Sequence, residues 1–402
     1  MKDRPTVDRL AEFSIAAAAI ASPAIALHAH RAIAPIFAAA AIAAIAPDLA
    51  RRRLPPLDPT LLVLFLATAS WSAASLLWSI DGGSGVGPIL RLALTLMGAL
   101  AFAGVARRLS PAAAATAGTA LLAGMTIGAI LLIVEAATGG AIKSLVSDRE
   151  APIVAIKAGS TVLVVLAWPA IAIAVVRGRA ALGWLLGAAI AIPLAFMDGR
   201  AAILALGAGA IVYFSGWIAP RATAAAIALG SGLAVLAGPP IARDLLPRLL
   251  GGIEDGVLPF TGAHRIEIWR FAAEHIFERP LAGWGFDASR VFPGGDRILD
   301  PATHAMQMPL HPHNVGLQWW LELGLVGAAI GILVIAAIAR AAARLPTPAR
   351  RAGALATLAA ALLIGMLSYG AWQSWWLAVL ALSGTFAALG SAPADRTRHT
   401  HS

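Results

Sequence analysis

The feature that most constrains this chain is the recurrence, from end to end, of apolar stretches of about 18 residues or more. A helix of that length crosses a hydrocarbon core of about 30 Å. Backbone groups cannot stay unpaired in lipid, and Ala/Leu/Ile runs lack the alternation that barrel strands require. Only 13% of the 402 residues are charged, against about 25% in soluble domains. The sequence therefore predicts an all-α integral membrane protein.

The apolar runs between charged residues predict about 12 transmembrane helices. The predicted spans are 10–27, 32–50, 60–80, 86–106, 112–138, 158–176, 180–197, 201–219, 222–241, 314–338, 352–371 and 375–391. We expect the first to be an uncleaved helix, because a second apolar segment follows almost at once. Spans one to nine thus lie in 1–241, a long loop in 242–312, and spans ten to twelve with a tail in 313–402.

The distribution of basic residues predicts the orientation. With the N-terminus in the cytoplasm, seventeen of the 30 Lys and Arg residues fall at cytoplasmic span ends, and six fall in short outer segments. The basic residues of the long loop are not counted, because the positive-inside rule applies to short loops. We therefore expect both termini in the cytoplasm and the long loop outside. This distribution accounts for the net charge of +9. A nucleic-acid partner is not predicted, because the chain lacks a basic groove with interleaved aromatic residues.

The long loop is predicted to contain an amphipathic helix near the membrane surface. Its apolar and charged residues interleave in the order Ile266, Glu267, Trp269, Arg270, Phe271, Glu274, Ile276, Phe277 and Glu278. Gly262 precedes this helix and Pro280 ends it. The segment 281–286 (LAGWGF) is predicted to form a turn that packs against the membrane face through Trp284.

The strongest local signal is the segment 311–314 (HPHN), where the long loop re-enters the membrane. Asn314 is expected to cap the following helix, and Gln318 and Glu322 follow at a spacing of four, so they share one face. Glu322 lies about 12 Å along that helix. A carboxylate at this depth is expected to face the bundle interior or a wet cavity.

Two interpretations of His311 and His313 stay open. A histidine at the mouth of a cavity suits general-base chemistry, since its ordinary pKa lies near neutrality. Alternatively, the two rings cap the helix and lie at the wet interface. A metal site is not predicted, because His-Pro-His lacks further ligands nearby and the chain has no cysteine. Tyr369 and Gln373 are polar groups near the outer end of span eleven that could line a cavity.

Two arginines are candidates for holding a phosphate or diphosphate. Arg200 opens span eight and Arg265 begins the predicted loop helix, and the planar guanidinium donates paired hydrogen bonds to phosphate oxygens. Lys157 adds positive charge on the same side. Alternatively, Arg200 is an interfacial residue paired with Asp198, and Arg265 lies on a solvated helix face. Neither a Walker-type phosphate loop nor an Asp-x-Asp pair occurs.

The chain resembles the O-antigen ligase family of bacterial envelope proteins, which includes O-antigen polymerases and protein O-oligosaccharyltransferases. The family pattern is His, then Asn/Ser/Gln, nine residues, Gly, two residues, then Gly/Thr/Tyr. Here the pattern reads His313, Asn314, nine residues, Gly324, two residues and Gly327.

Further segments extend the resemblance over nearly the whole chain. Residues 265–269 and 280–286 resemble the family's large periplasmic loop, and the DGR at 198–200 resembles its arginine before span eight. Twelve spans with a long outer loop between spans nine and ten match as well.

The resemblance implies a metal-independent glycosyl transfer, without a cofactor, at the periplasmic face of the bacterial inner membrane. The donor would be a glycan on polyprenyl diphosphate, and the acceptor would be a hydroxyl of lipid A–core or of another sugar. His313 would act as base or orienter for that hydroxyl, while Arg200 and Arg265 would hold the diphosphate. Substrate contacts are expected from Asn314, His311, Gln318, Glu322 and Lys157, with Glu322 either orienting His313 or lining the cavity.

Other functions stay open on the sequence. O-antigen or exopolysaccharide polymerases and protein O-oligosaccharyltransferases share the donor and the leaving group and differ in the acceptor. A transporter of lipid-linked glycan is a further alternative, because an intramembrane Glu322 would suit a proton-coupled carrier. Against a transporter, the polar groups cluster at one face, and the two halves show no matched pair of broken helices.

Overall fold

A computed structural model describes residues 6–82, 84–146, 156–197, 199–250 and 260–391. These residues form α-helices joined mostly by short turns, with one small β-hairpin in the long loop. The helices are α1 Thr6–Ala29, α2 Ile33–Ala50, α3 Pro59–Ala74, α4 Val86–Arg107, α5 Pro111–Thr138, α6 Ala141–Leu145, α7 Lys157–Val176, α8 Ala180–Phe196, α9 Arg200–Ile218, α10 Pro220–Pro240, α11 Leu246–Leu250, α12 Phe260–Glu278, α13 Val315–Ala342, α14 Pro348–Leu367 and α15 Ser374–Ala387. The predicted all-α membrane class is confirmed.

Each predicted span overlaps one apolar helix, namely α1–α5, α7–α10 or α13–α15. Within the described residues, nine helical segments are long and apolar enough to cross a membrane, and the first of them, Arg9–Ala50, comprises α1 and α2. The helices α8 and α15 are apolar but shorter, at 17 and 14 residues. The number of helices that cross the bilayer stays a prediction.

Successive helices joined by short turns alternate in direction, so their ends gather at two ends of the bundle. At the basic end, Arg108 contacts the Asp48 carboxylate, and Arg177 donates to the carbonyl of Ala115. The opposite end, where α7, α9 and α13 begin, is called the site end below. Arg108 and Arg177, which the sequence assigns to the cytoplasmic side, thus lie at the same end of the bundle, and their location in the cytoplasm stays a prediction.

The helix α7 is the central element of the bundle, with buried residues running from Gly159 to Ala174. Glycines let its neighbours approach closely. A side chain at Gly159 would lie 2.3 Å from the carbonyl oxygen of Ala26 in α1, and one at Gly209 in α9 would lie 2.4 Å from the Trp168 ring. Small residues at helix contacts are how lipid-embedded helices pack, since lipid provides little hydrophobic drive between them.

The helix α13 is broken at Gly324, where φ is 68° and ψ is −168°. Only glycine adopts this backbone conformation readily. A side chain at this position would also lie 2.1 Å from the carbonyl oxygen of Leu281. The next amide, that of Leu325, leaves the helical pattern and donates to the Pro280 carbonyl at 2.8 Å. The break is therefore filled by the turn that follows α12.

Backbone groups of this turn pair with the carbonyls that the break exposes. The amide of Trp284 donates to the Leu321 carbonyl at 2.9 Å, and the amide of Gly285 donates to the Glu322 carbonyl at 2.8 Å. The sequence predicts that Trp284 packs against the membrane face, but the structure shows its ring against Phe292, 5.1 Å between ring centroids. The turn packs into α13 because the broken helix offers unpaired carbonyls there.

The helix predicted in the long loop is confirmed as α12, and its location near the membrane surface stays a prediction. It ends at Glu278, before Pro280 as predicted, but it begins at Phe260 and includes Gly262. Its buried side is formed by Ala263, Ile266, Ile268, Ala272, Ala273 and Ile276. The strands β1 Ile298–Asp300 and β2 Ala305–Met306 form the antiparallel hairpin beyond it.

The break predicts a strong requirement for glycine at position 324. Gly324→Ala should lower the free energy of unfolding by about 2 kcal/mol or more, because the strained φ and the contact with Leu281 add together. The measurement is the Tm of the purified protein in detergent, read as the loss of the monodisperse size-exclusion peak after heating. The control is Gly207→Ala in α9, where a side chain meets no atom within 4 Å. Equal Tm values for the two variants would contradict the role given to the break.

Candidate active site

The segment 311–314 lies at the N-terminus of α13 with an unusual backbone. Asn314 caps the helix, since its Oδ1 accepts from the Leu317 amide at 3.0 Å, as the sequence predicts. His313 has φ of 55°, in the left-handed region that residues other than glycine adopt infrequently. Such a conformation costs about 1 kcal/mol or more and persists only where surrounding contacts hold it. The position of the His313 ring is therefore imposed by its neighbours.

One neighbour fixes the protonated nitrogen of His313. Its Nδ1 lies 2.6 Å from the carbonyl oxygen of Ser368, which follows α14. Because a carbonyl oxygen only accepts, Nδ1 carries the hydrogen and Nε2 carries the lone pair. Burial is the largest influence on the ring and lowers its pKa; the Ser368 carbonyl raises it, and the charges of Arg265 and His264 lower it. His313 is thus a neutral imidazole whose Nε2 is unprotonated.

The ring of His311 supports the same loop. Its Nδ1 accepts from the backbone amide of His313 at 3.1 Å, so Nε2 carries the proton. This nitrogen lies 3.1 Å from Nε2 of Gln373, and rotating the Gln373 amide by 180° presents its oxygen, which has no other partner among the described residues, to the proton. Burial lowers the pKa of His311 to about 3, with smaller contributions from the charges of His313 and Arg290. His311 therefore stays neutral, and its hydrogen bond with the His313 amide stabilises the loop.

The helix α12 brings Arg265 to the His313 loop. Trp269, one turn after Arg265, donates from Nε1 to the Pro312 carbonyl at 2.8 Å. The charge of Arg265 acts on the site, because it lowers the pKa of His313. Arg265 and His313, distant in the sequence, therefore lie in one site.

Glu322 is fully buried, with no exposed surface. Both carboxyl oxygens accept hydrogen bonds, from Asp287 N at 2.8 Å, Ser289 Oγ at 2.6 Å, Gln318 Nε2 at 3.0 Å and Trp372 Nε1 at 2.6 Å. The predicted shared face of Gln318 and Glu322 is thus confirmed. The hypothesis that Glu322 orients His313 does not fit these contacts, because the Ser368 carbonyl holds that ring instead.

Gln318 is also fully engaged within the protein. Its Oε1 accepts from the amide of Ala371 at 2.8 Å, and its Nε2 donates to Glu322. Gln318 and Glu322 together tie α13 to the long loop and to the turn between α14 and α15. Substrate contact by either side chain, as the sequence analysis expects, stays a prediction and would require one of these hydrogen bonds to open.

Lys157 begins α7 at the site end. One turn further along α7, the Thr161 hydroxyl lies 3.1 Å from the hydroxyl of Tyr369. Tyr369 directly follows Ser368, whose carbonyl holds His313. The first turn of α7 therefore lies beside the site, and substrate binding by Lys157 stays a prediction.

Arg200 begins α9 at a similar height. It precedes Gly209 by nine residues, or about 14 Å, and Lys157 precedes Trp168 by eleven residues, or about 16 Å. Gly209 contacts Trp168, so the two helices are aligned at that point. Arg200 and Lys157 therefore lie within about one helical turn of each other along the bundle axis. Asp198, the expected partner of Arg200, lies outside the described residues. A diphosphate contact by Arg200 stays a prediction.

The turn between α14 and α15 supplies groups that the sequence analysis missed or left unassigned. Tyr369 and Gln373 carried no specific signal, although both were noted as possible cavity residues. Ser368 is not predicted from the sequence, because its contribution is a backbone carbonyl, which leaves no trace in residue identity. The contact between Trp372 and Glu322 is not predicted either, because Trp372 is one of several tryptophans near span ends, whose usual place is the membrane interface.

The contacts of Glu322 predict that its main role is to stabilise the fold. Glu322→Gln should lower the free energy of unfolding by about 2 kcal/mol, because an amide nitrogen cannot accept and leaves a buried donor unpaired. The measurement is the Tm in detergent, with Glu278→Gln, at the exposed end of α12, as the matched control. An unchanged Tm combined with a raised KM for donor or acceptor would instead make Glu322 a substrate contact.

Part of the chain is similar to a known protein family. Residues 185–332 match the O-antigen ligase family. This range includes Arg200, Arg265, His313 and the broken part of α13, but not Lys157 or Tyr369.

Three curated relatives come from Rickettsia species, and each is named as a candidate polysaccharide ligase. The chain is 28% identical to the Rickettsia conorii protein over 64% of its own length and 63% of the relative, and 29% identical to the Rickettsia bellii protein over 64% of each. Identity to the Rickettsia prowazekii protein is 29% over 54% of each chain. The matched part thus spans less than two thirds of the length of these relatives. Residues 185–332 are therefore similar to the O-antigen ligase family, which confirms the resemblance that the His-Asn-Gly motif indicated.

Proposed function

We propose that this chain is a glycosyltransferase that moves a glycan from a polyprenyl-diphosphate carrier to an acceptor hydroxyl, and that this reaction is O-antigen ligation to lipid A–core. The observation that carries the proposal is the His313 ring, a neutral imidazole whose Nδ1 is held by the Ser368 carbonyl while Nε2 keeps its lone pair. Arg265 acts on the same ring, which is the arrangement that proton transfer next to an anionic leaving group needs.

The proposed reaction begins with the acceptor hydroxyl. His313 Nε2 takes the hydroxyl proton while the oxygen forms a bond to the anomeric carbon of the donor glycan. A general base of this kind contributes about 10²- to 10⁴-fold to the rate. The strained backbone and the Ser368 hydrogen bond hold the ring in place before substrate arrives, so little orientation is lost on binding.

The second half of the step concerns the leaving group. The bond between the anomeric carbon and the phosphate oxygen breaks, and its electron pair leaves with the polyprenyl diphosphate. Arg265 and Arg200, both at the site end, would bind the phosphate oxygens and stabilise the charge that grows on them. In this proposal the guanidinium groups perform the task that a metal ion performs in other transferases.

The proposal includes a location. The site end would face the periplasm and the basic end the cytoplasm of a bacterial inner membrane, because basic residues favour the cytoplasmic side. In this proposal a lipid-linked donor would reach the site from within the bilayer, and the acceptor would reach it from the end of the bundle.

The first prediction is loss of transfer in His313→Ala. Purified protein should transfer glycan from polyprenyl diphosphate to lipid A–core in the presence of a chelator, and His313→Ala should reduce that rate by at least about 10²-fold. His304→Ala, in an exposed part of the long loop, is the matched control and should retain wild-type activity. Near-wild-type transfer by His313→Ala would contradict the assignment of His313 as the base. Full dependence of transfer on added metal would contradict the proposal that arginines stabilise the leaving diphosphate.

The products in cells distinguish the related reactions. A strain without this protein should lose every O-chain band of lipopolysaccharide on a gel and accumulate lipid-linked polymer, and wild type but not His313→Ala should restore the bands. A single repeat unit left on the core would mean polymerase instead of ligase. An unchanged ladder would exclude both and favour another acceptor, such as a protein.

The second prediction concerns pH. A base must be neutral, and burial lowers the pKa of His313 from its ordinary 6.5. The acid limb of kcat/KM should therefore be centred below pH 6.5, because a lowered pKa keeps the ring neutral to a lower pH. The measurement is the initial rate of transfer from about pH 8 to about pH 5, with a stability check at each pH. An acid limb centred at or above pH 6.5 would contradict a buried, neutral His313 as the base.

A further inference from the structure

The long loop contains a cavity of about 480 Å³ that the proposed reaction does not use. It is formed by residues 290–296 together with Met306, Met308 and Pro309, so it lies immediately before the His311 loop. Its polar side chains are Arg290 and Asp296. The backbone between them contains Gly294, with φ of 77°, and Gly295, where a side chain would lie 3.0 Å from a carbonyl oxygen. Two adjacent glycines let a ligand approach the backbone closely.

The guanidinium of Arg290 is hydrogen-bonded through Nε, and the side chain is partly exposed. Its Nε lies 2.8 Å from both carboxylate oxygens of Asp287, whose side chain is only 10% exposed. The two terminal nitrogens of Arg290 make no hydrogen bond with the described residues, and 44% of its side chain is exposed. The guanidinium is therefore fixed in orientation while its paired terminal donors remain available.

The support beneath Arg290 is rigid. The backbone amide of Asp287 and the hydroxyl of Ser289 both donate to the buried carboxyl group of Glu322 in α13. The short 3₁₀ turn that carries Arg290, Ala288–Val291, is thus tied directly to the helix that follows His313. Arg290 also lies close enough to His311 for its charge to lower the pKa of that ring.

We propose that this cavity is an acceptor subsite, in which the terminal nitrogens of Arg290 bind an anionic group of the acceptor glycan, phosphate or carboxylate. A fixed guanidinium fork fits such a group in two parallel hydrogen bonds. Asp296 accepts from a sugar hydroxyl beside it. The inference rests on the proposed function, and it assigns Arg290 to the acceptor, whereas Arg200 and Arg265 serve the donor diphosphate.

The experiment measures initial rates of transfer by wild type, Arg290→Gln and Arg297→Gln. The acceptors are lipid A–core as isolated, the same material dephosphorylated with aqueous hydrofluoric acid, and the same material after carboxyl reduction. With untreated acceptor, Arg290→Gln should raise the acceptor KM about tenfold and leave kcat and the donor KM within about twofold. One of the two treatments should remove the difference between Arg290→Gln and wild type.

The control variant Arg297→Gln changes an exposed arginine of the same loop that does not line the cavity, and it should behave as wild type. Arg290→Lys keeps the charge without the fork and should give an intermediate KM, which covers a failure of Arg290→Gln to fold. The inference about Arg290, but not the proposed function, would be overturned by any of three results. These are an unchanged acceptor KM in Arg290→Gln, a rise in that KM that persists after both treatments, or a rise in the donor KM. Absence of transfer by wild type would overturn the proposed function as well.

Discussion

A helix that breaks inside a membrane bundle exposes backbone carbonyls, and unpaired carbonyls are costly where water is excluded. In α13 the break at Gly324 exposes the carbonyls of the three preceding residues, and each receives a donor from outside the helix. Trp71 of α3 supplies one donor, and the turn 280–286 supplies the other two. The long loop is therefore part of the hydrogen bonding of α13, and its position depends on the break.

The site depends on the same connection. The chain that fills the break continues into the turn that binds Glu322, and Trp372 binds the same carboxyl group from the other side of α13. Gln318 holds the backbone two residues after Tyr369. The turn between α14 and α15 is thus fixed against the first part of α13. Because that turn carries the Ser368 carbonyl, the same network sets which nitrogen of His313 keeps its lone pair.

The sequence was sufficient for features that depend on local chemistry. Span positions follow from the length of apolar runs, the end of α12 follows from Pro280, and the N-cap follows from Asn314. The break was not predictable, because a glycine within an apolar run usually indicates close helix packing. Glu322 shows the same limit: its depth and face were predicted, but its partners lie in three separate segments that only the folded chain brings together.

The spacing of the His-Asn-Gly motif has a physical explanation in this fold. Nine residues between Asn314 and Gly324 make two and a half helical turns, or about 14 Å, so they fix both the height and the rotation between the cap and the break. One added residue would turn Glu322 by about 100° away from Ser289 and Trp372, and it would separate the break from the turn that fills it. The motif thus combines the His313 ring with a length of helix that places it, and the distance between Asn314 and Gly324 keeps the cap and the break in register.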